Sequence, residues 1–369
     1  MPAEFVLTSN IILWYIPAKD LDAMLRAIDL FSGCGGLTLG LKKAGFNVIA
    51  AVDNDPLSVE TYKANHPEVE VWETDIGKIP VREVMRKLRL RSGALDLLAG
   101  CPPCQGFSTM RTLNGKNSVR DERNDLVFEF MRFVRVLRPK AIMLENVPGL
   151  AKNFRLTRFC NQLRSLRYKF KVRVLNAADY GVPQRRRRMI LIASREFEPE
   201  FARPSLHKRT VRDAIASLPA PTDDGRDPLH RNEENRSNRI AEMIHSIPKD
   251  GGSRKDLGPQ KQLKCHLRCD GFKDVYGRMA WEEVAPTITS GCINPSKGRF
   301  LHPSQDRAIT LREAALLQSF PRNYTISLQH GRYSAASLIG NALPPQFITG
   351  LAKPIRKLLL GDERKGERK

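Results

Sequence analysis

The chain has 369 residues, 41% hydrophobic and 27% charged, with a formal net charge of +21. That length exceeds one ordinary domain, and the composition excludes a fibrous or wholly disordered chain; the apolar run Phe5 to Ile16 holds Thr8, Ser9 and Asn10 and is too short to span a bilayer, so no membrane association or cleavable leader is expected. A positive excess of this size costs self-repulsion and points to a polyanion, nucleic acid first, ahead of a charge kept only for solubility.

Residues 1–23 do not fit the pattern that follows them. Met24 stands just before the first apolar run and is read as the natural start, or the extension as a loosely held appendage. Ala27–Phe31 then reads as a buried strand running into a glycine-rich turn and a helix from Leu37 to Ala44. Val48–Val52, Leu95–Ala99, Ala141–Leu144 and Met189–Ala193 follow as strands. Helical patterns lie between them, notably 124–137, with apolar Leu126, Val127, Phe130, Val134 and Leu137. Such alternation predicts an α/β fold with a mostly parallel, doubly wound sheet.

The character changes near Ser194. To about Ala280 the chain is polar and weakly periodic, with turn signals at Asp250-Gly251-Gly252-Ser253 and Asp270-Gly271. A smaller, irregular domain is expected over 195–300, between a first domain over 24–194 and a returning segment over 301–360. In that segment 308–319 is regular and 335–360 is helical, broken at Pro344-Pro345. Residues 361–369 form a charged tail. Seven cysteines without a secreted-type framework imply free thiols in a reducing, cytoplasmic compartment.

Acidic residues stand at the strand ends. Asp29-Leu30-Phe31-Ser32-Gly33-Cys34-Gly35-Gly36 is not the dinucleotide fingerprint, and Asp29 would repel a pyrophosphate. It suits a cationic ligand, such as the amino acid end of S-adenosylmethionine; a structural turn is the alternative. Asp53 is placed to accept from ribose hydroxyls, while Asp55 suits a cap for a helix beginning near Pro56. Asp75-Ile76 offers an acceptor and an apolar surface for an adenine; Asp75 alone is as readily a cap.

Cys104 follows the strand Leu95–Ala99 on a loop stiffened by Pro102 and Pro103, a credible place for a thiolate nucleophile. Cys101 and Cys104 also have redox or zinc-ligand spacing, with Cys265, His266 and Cys269 as the only second cluster; no metal is expected. Glu145-Asn146-Val147 ends the strand that begins at Ala141, where a carboxyl group would face Cys104. In Gln184-Arg185-Arg186-Arg187-Arg188, a strand places Arg186 and Arg188 on one face and Arg185 and Arg187 on the other. Those arginines hold a base carbonyl, a phosphate or the acid, or form a solvated run.

These segments, in this order, resemble the DNA cytosine-5 methyltransferases. The resemblance covers Ala27 to Leu360 and adds Arg312-Glu313-Ala314-Ala315, Leu317-Gln318-Ser319-Phe320-Pro321 and Gly340-Asn341-Ala342-Leu343-Pro344-Pro345. Departures are small: Cys101 stands where the family often has glycine, and Leu343 where valine is common. The resemblance implies a Rossmann-like S-adenosylmethionine-dependent catalytic domain, a small target-recognition domain and a cleft for double-stranded DNA between them.

It further implies Cys104 as the nucleophile on cytosine C6, Glu145 donating to N3, Arg188 holding O2, and Arg186 supporting Glu145 or the DNA backbone. S-adenosylmethionine would lie against Asp29, Leu30, Phe31, Ser32, Gly33, Gly35, Gly36, Asp53, Asn54, Asp75, Ile76, Asn341 and Ala342. Gln105, Ser108 and Gln184 would touch DNA around a flipped-out base. The expected protein is a monomer, either the modification enzyme of a restriction system, with an endonuclease for the same site as partner, or an orphan methylase. A transfer-RNA cytosine methyltransferase and a catalytically silent DNA-binding protein are the alternatives. Arg254, Lys255, Arg268 and Arg278 are candidates to meet DNA from the recognition domain.

Overall fold

The computed structural model describes residues 25–103, 125–221, 226–231, 235–268 and 274–361. The expectations for residues 1–23, for Cys104, Gln105, Ser108, Cys269 and Asp270-Gly271, and for the tail from 362 fall outside them.

Seven strands form one sheet: β1 Arg26–Leu30, β2 Asn47–Asp53, β3 Glu70–Glu73, β4 Leu97–Gly100, β5 Ala141–Asn146, β6 Lys169–Asn176 and β7 Arg187–Ser194. Their order is β3-β2-β1-β4-β5-β7-β6. The pairs from β3 to β5 are parallel, and β7 runs antiparallel to both β5 and β6. The order reverses between β1 and β4, and a crevice opens at the carboxyl ends of strands beside such a reversal. The glycine-rich turn after β1 and the Pro102-Pro103 loop after β4 both start there.

Alternate residues of the buried strands feed two apolar layers, as a sheet covered on both faces requires. Leu98 and Ile142 face one layer with Phe130, Phe133 and Phe159. Leu97 and Met143 face the other with Phe46, Phe347 and Leu351. Phe347 and Leu351 belong to the helix Pro345–Leu359, which packs on the helix Gly36–Lys43. The approach is close enough that a Cβ at Gly40 would lie 2.5 Å from Ile348 Cβ. The C-terminal segment therefore does return to the first part of the fold.

The polar middle carries more order than its sequence suggests. Residues from Val211 to Ile293 share a core with Ile309, Leu317, Phe320 and Ile339, and a small satellite core gathers Met243, Ile244, Ile247, Leu257, Tyr276 and Leu301. Arg278 is fully buried at its hub. It donates to the carbonyls of Ile244, Ile247 and His302 and is paired with Asp306. Arg254 is buried too. Both were expected at the DNA; their burial removes them from it, whereas Lys255 is exposed. A region with little regular structure leaves carbonyls unpaired, and a guanidinium with five N–H groups can satisfy several at once. Among the described residues no helix is long and apolar enough to cross a membrane.

Candidate active site

β1 ends at Leu30, one residue earlier than the apolar run predicts, because Phe31 turns the chain with φ 63°. Gly33 and Gly35 continue the turn at φ 52° and 93°. Gly35 is fixed by space as well: a Cβ there would lie 2.6 Å from the Tyr324 hydroxyl and 2.7 Å from His66 Nε2. Tyr324 in turn donates to the carbonyl of Cys34 at 2.6 Å. Neither Tyr324 nor His66 carries a sequence signal, being 258 residues apart, yet together they shape this turn.

Asp29 is fully buried under the loop. Thr38 donates to its Oδ2 at 2.7 Å and lies 2.8 Å from the Tyr62 hydroxyl. Among the described residues its Oδ1 has no partner, nor has the buried hydroxyl of Ser32. Burial pushes the Asp29 carboxyl up to about 7, with the nearby Asp53 adding to the rise and Thr38 opposing it. An unmet acceptor of this kind, beside a glycine turn, fits the cationic amino acid end of S-adenosylmethionine.

Asp53 takes backbone N–H groups on both oxygens, from Gly33 at 2.7 Å and Asp55 at 3.0 Å. It therefore staples the β1 loop to the end of β2, and each oxygen keeps a second lone pair for a hydroxyl. Burial raises its pKa against those hydrogen bonds. Asn54 beside it is exposed. Asp55 caps the helix Pro56–Asn65 through Ser58. Asp75 is exposed and caps the single turn Ile76–Lys78. Ile76 packs inward among the core residues rather than presenting an open face.

At the other side of the reversal, Glu145 is 2% exposed. Arg188 Nε lies 2.9 Å from its Oε1, close enough to pair, though the N–H is not aligned with that oxygen. Cys101 donates to its Oε2 at 2.5 Å. The next residue, Asn146, donates to the carbonyl of Pro102 at 2.9 Å. The last two residues of β5 are thus tied to the two residues that follow β4. Neither the Cys101 contact nor the Asn146 contact was foreseen from the sequence.

The expected alternation of the arginine run holds: Arg186 is buried and Arg188 half-buried, while Arg185 and Arg187 are exposed. Two expectations are corrected in their detail. Arg186 gives its hydrogen bonds to the carbonyls of Ile288 and Gly340, at 3.1 and 3.0 Å, not to Glu145 or to an exposed surface. Burial, then the neighbouring Arg188, lowers its pKa to about 9. Gln184, expected at the DNA, is fully buried; it donates to Gln318 Oε1 and accepts from the amide of Ile288. Both side chains lock the entry to β7 against the C-terminal segment.

That segment reaches the glycine turn. A Cβ at Gly36 would lie 2.3 Å from the carbonyl of Leu343, so Gly340-Asn341-Ala342-Leu343 packs on the loop. Asn341 is exposed, its amide within 3.3 Å of Ser337 Oγ, and Ala342 is buried.

A profile described as C-5 cytosine-specific DNA methylase matches residues 25–357. Type II methylase M.HgiDII of Herpetosiphon aurantiacus is 37% identical over 90% of this chain and 96% of its own length. Type II methyltransferase M1.HphI of Haemophilus parahaemolyticus is 33% identical over 96% and 95%. A solved Escherichia coli structure, described as a prophage-encoded DNA modification methyltransferase, has a TM-score of 0.71 at 24% identity. It covers 91% of this chain and 99% of its own, and shows the shared fold.

Proposed function

Because the chain belongs to the C-5 cytosine-specific DNA methylase family, and is thereby a DNA cytosine-5 methyltransferase, we propose that it methylates cytosine within one double-stranded DNA sequence through a covalent bond from Cys104 to ring C6. S-adenosylmethionine, when bound, supplies an electrophilic methyl group. Asp29, Leu30, Phe31, Ser32, Gly33, Gly35, Gly36, Asp53, Asn54, Asp75, Asn341 and Ala342 would hold it.

Cytosine C5 is a poor nucleophile. A thiolate added at C6 saturates that bond and leaves C5 enamine-like. Charge then develops toward N3 and O2. Glu145 in its acid form donates to N3, and Arg188 offers its guanidinium to O2, so both stabilise the adduct. With S-adenosylmethionine bound, C5 would take its methyl group and leave the thioether S-adenosylhomocysteine; loss of the C5 proton to water and expulsion of the Cys104 sulfur as thiolate would then restore the aromatic ring. None of these contacts can reach a stacked base, so the cytosine swings out of the duplex. The segment 195–300 would then read the sequence around it.

The observation that carries the reading is the Glu145–Arg188 pair. A nearly inaccessible carboxyl with one oxygen lacking an aligned donor sits beside the segment that leads to Cys104. The relatives are Type II methylases and methyltransferases, and we infer the same modification role here, in the cytoplasm, as a monomer, alongside an endonuclease that cuts the unmodified site. The test is methyl transfer from labelled cofactor, with bisulfite sequencing of DNA from an expressing host. Label at one duplex sequence, abolished by Cys104→Ala, is expected. Label confined to transfer RNA, or undiminished in Cys104→Ala, would overturn the proposal.

A further inference from the structure

We propose that the Cys101 thiol is a positioning residue for the reaction, aiming the Glu145 carboxyl at the target base through a hydrogen bond to its Oε2. The inference rests on the reading of Glu145 given above. An ion pair with Arg188 fixes one oxygen of Glu145 at a distance but not in direction, since the Nε–H is not aligned with Oε1. A second fixed point on the other oxygen sets the plane of the carboxyl, and Cys101 Sγ supplies it. Among the described residues this leaves Oε1 as the buried oxygen without an aligned donor.

The anchor itself is rigid. The amide of Cys101 donates to the carbonyl of Leu30 at 3.2 Å, which prolongs the β1–β4 pairing by one residue. Asn146 holds the carbonyl of Pro102 in parallel. The thiol is suited to donating: burial first, then the charge of Glu145, push it well above the ordinary thiol range, and Arg188 and Arg186 oppose this without reversing it. A thiol so held is a donor, not a nucleophile. It therefore differs in role from Cys104, three positions later in the sequence. Serine keeps a donor on the same Cβ; alanine and glycine delete it.

The experiment compares steady-state methylation of duplex DNA by wild type, Cys101→Ala, Cys101→Ser and Glu145→Gln, and by the double variant C101A/E145Q. Cys101→Gly repeats the deletion should alanine disturb folding, which thermal unfolding reports. Cys101→Ala is expected to lower kcat roughly three- to tenfold, the value of one hydrogen bond to a neutral group. Affinities for DNA and S-adenosylmethionine should stay within about twofold, because the thiol reaches neither. Cys101→Ser should recover most of kcat, and the double variant should be no slower than Glu145→Gln alone. Wild-type kcat in both donor deletions, or equal losses in alanine and serine that add to that of Glu145→Gln, would refute the positioning role. Full activity in Glu145→Gln would instead sink the reading of Glu145, a separate outcome.

Discussion

Replacing Asp29 by asparagine should make the protein more stable and the enzyme worse. The carboxyl is fully buried, with one hydroxyl donor on Oδ2 and, among the described residues, nothing on Oδ1. Its pKa rises from 3.8 to about 7. That rise is worth roughly 4 kcal/mol between the acid and its anion, at about 1.4 kcal/mol per decade. The unfolded chain releases this proton around its ordinary value, whereas the folded chain holds it to about 7. The stability contributed by the acid form is therefore present below the unfolded pKa and lost as pH rises through the folded one.

Asparagine keeps the shape and an oxygen for Thr38 without the charge. Its advantage in unfolding free energy should grow by roughly 2–3 kcal/mol between pH 5 and pH 8. Asp53 shares the upward direction, and His66, lowered to about 3 by burial and by Lys42, has the opposite one. Both are present in the two proteins, so the difference between their urea-unfolding curves isolates Asp29. Calorimetric titration with S-adenosylmethionine should show affinity down at least about tenfold, as for a lost charge-assisted contact. Parallel stability curves, or undiminished affinity, would show that Asp29 is not an anion kept for a cationic ligand.

Other substitutions probe the joints around the site. Gly340→Ala would place a Cβ 2.2 Å from the backbone carbon of Thr289, beside the carbonyl that Arg186 uses; a loss of about 3 kcal/mol is expected by chemical denaturation, along with methylation activity. Tyr324→Phe removes the donor to Cys34 and the partner of His66, so cofactor titration should weaken several-fold while DNA binding by gel shift is unchanged. Glu313 is buried; its desolvation is outweighed by two 2.7 Å hydrogen bonds from Arg307, which hold its carboxyl below the usual range. The stability it contributes is present above its unfolded pKa and lost as pH falls through the lowered one. Glu313→Gln should therefore cost roughly 3–5 kcal/mol at pH 7 by stranding a buried Arg307, and should flatten the acid limb of the unfolding profile.

Five of the seven strands are legible as apolar runs because they lie inside the sheet, buried on both faces. The two that are not, β3 and β6, are its edges. Glu70-Val71-Trp72-Glu73 is short, and Lys169 through Asn176 alternates cations with apolar residues; charge on an edge protects it from pairing with another chain, and it also erases the sequence signal. Asp29, Asp53 and Glu145 could be picked out because strand ends near a reversal carry chemistry. Their partners could not: Thr38 and Tyr62 sit on helix faces that look like ordinary packing, and Cys101 reads as the weaker half of a two-cysteine spacing. Gln184 misled because an amide in a basic run looks solvent-facing, and only the fold reveals Ile288 and Gln318 waiting for it.

The same effect governs how the net charge of +21 should be understood. Arg278 and Arg307 are buried beside Asp306 and Glu313, Arg312 pairs with Asp227, and Arg186 is spent on carbonyls. These cations hold the polar half of the molecule together and add little to the field met by an approaching duplex. Exposed side chains such as Arg185 and Arg187 carry charge at the surface. In the run from Arg185 to Arg188, which leads into β7 and forms its first two residues, burial alternates, so that Arg186 and Arg188 turn inward and Arg185 and Arg187 outward. The inward pair braces Gly340 and Glu145; the outward pair is exposed. Salt should therefore weaken DNA binding while leaving the Arg188–Glu145 contact, which is largely shielded from solvent, nearly untouched.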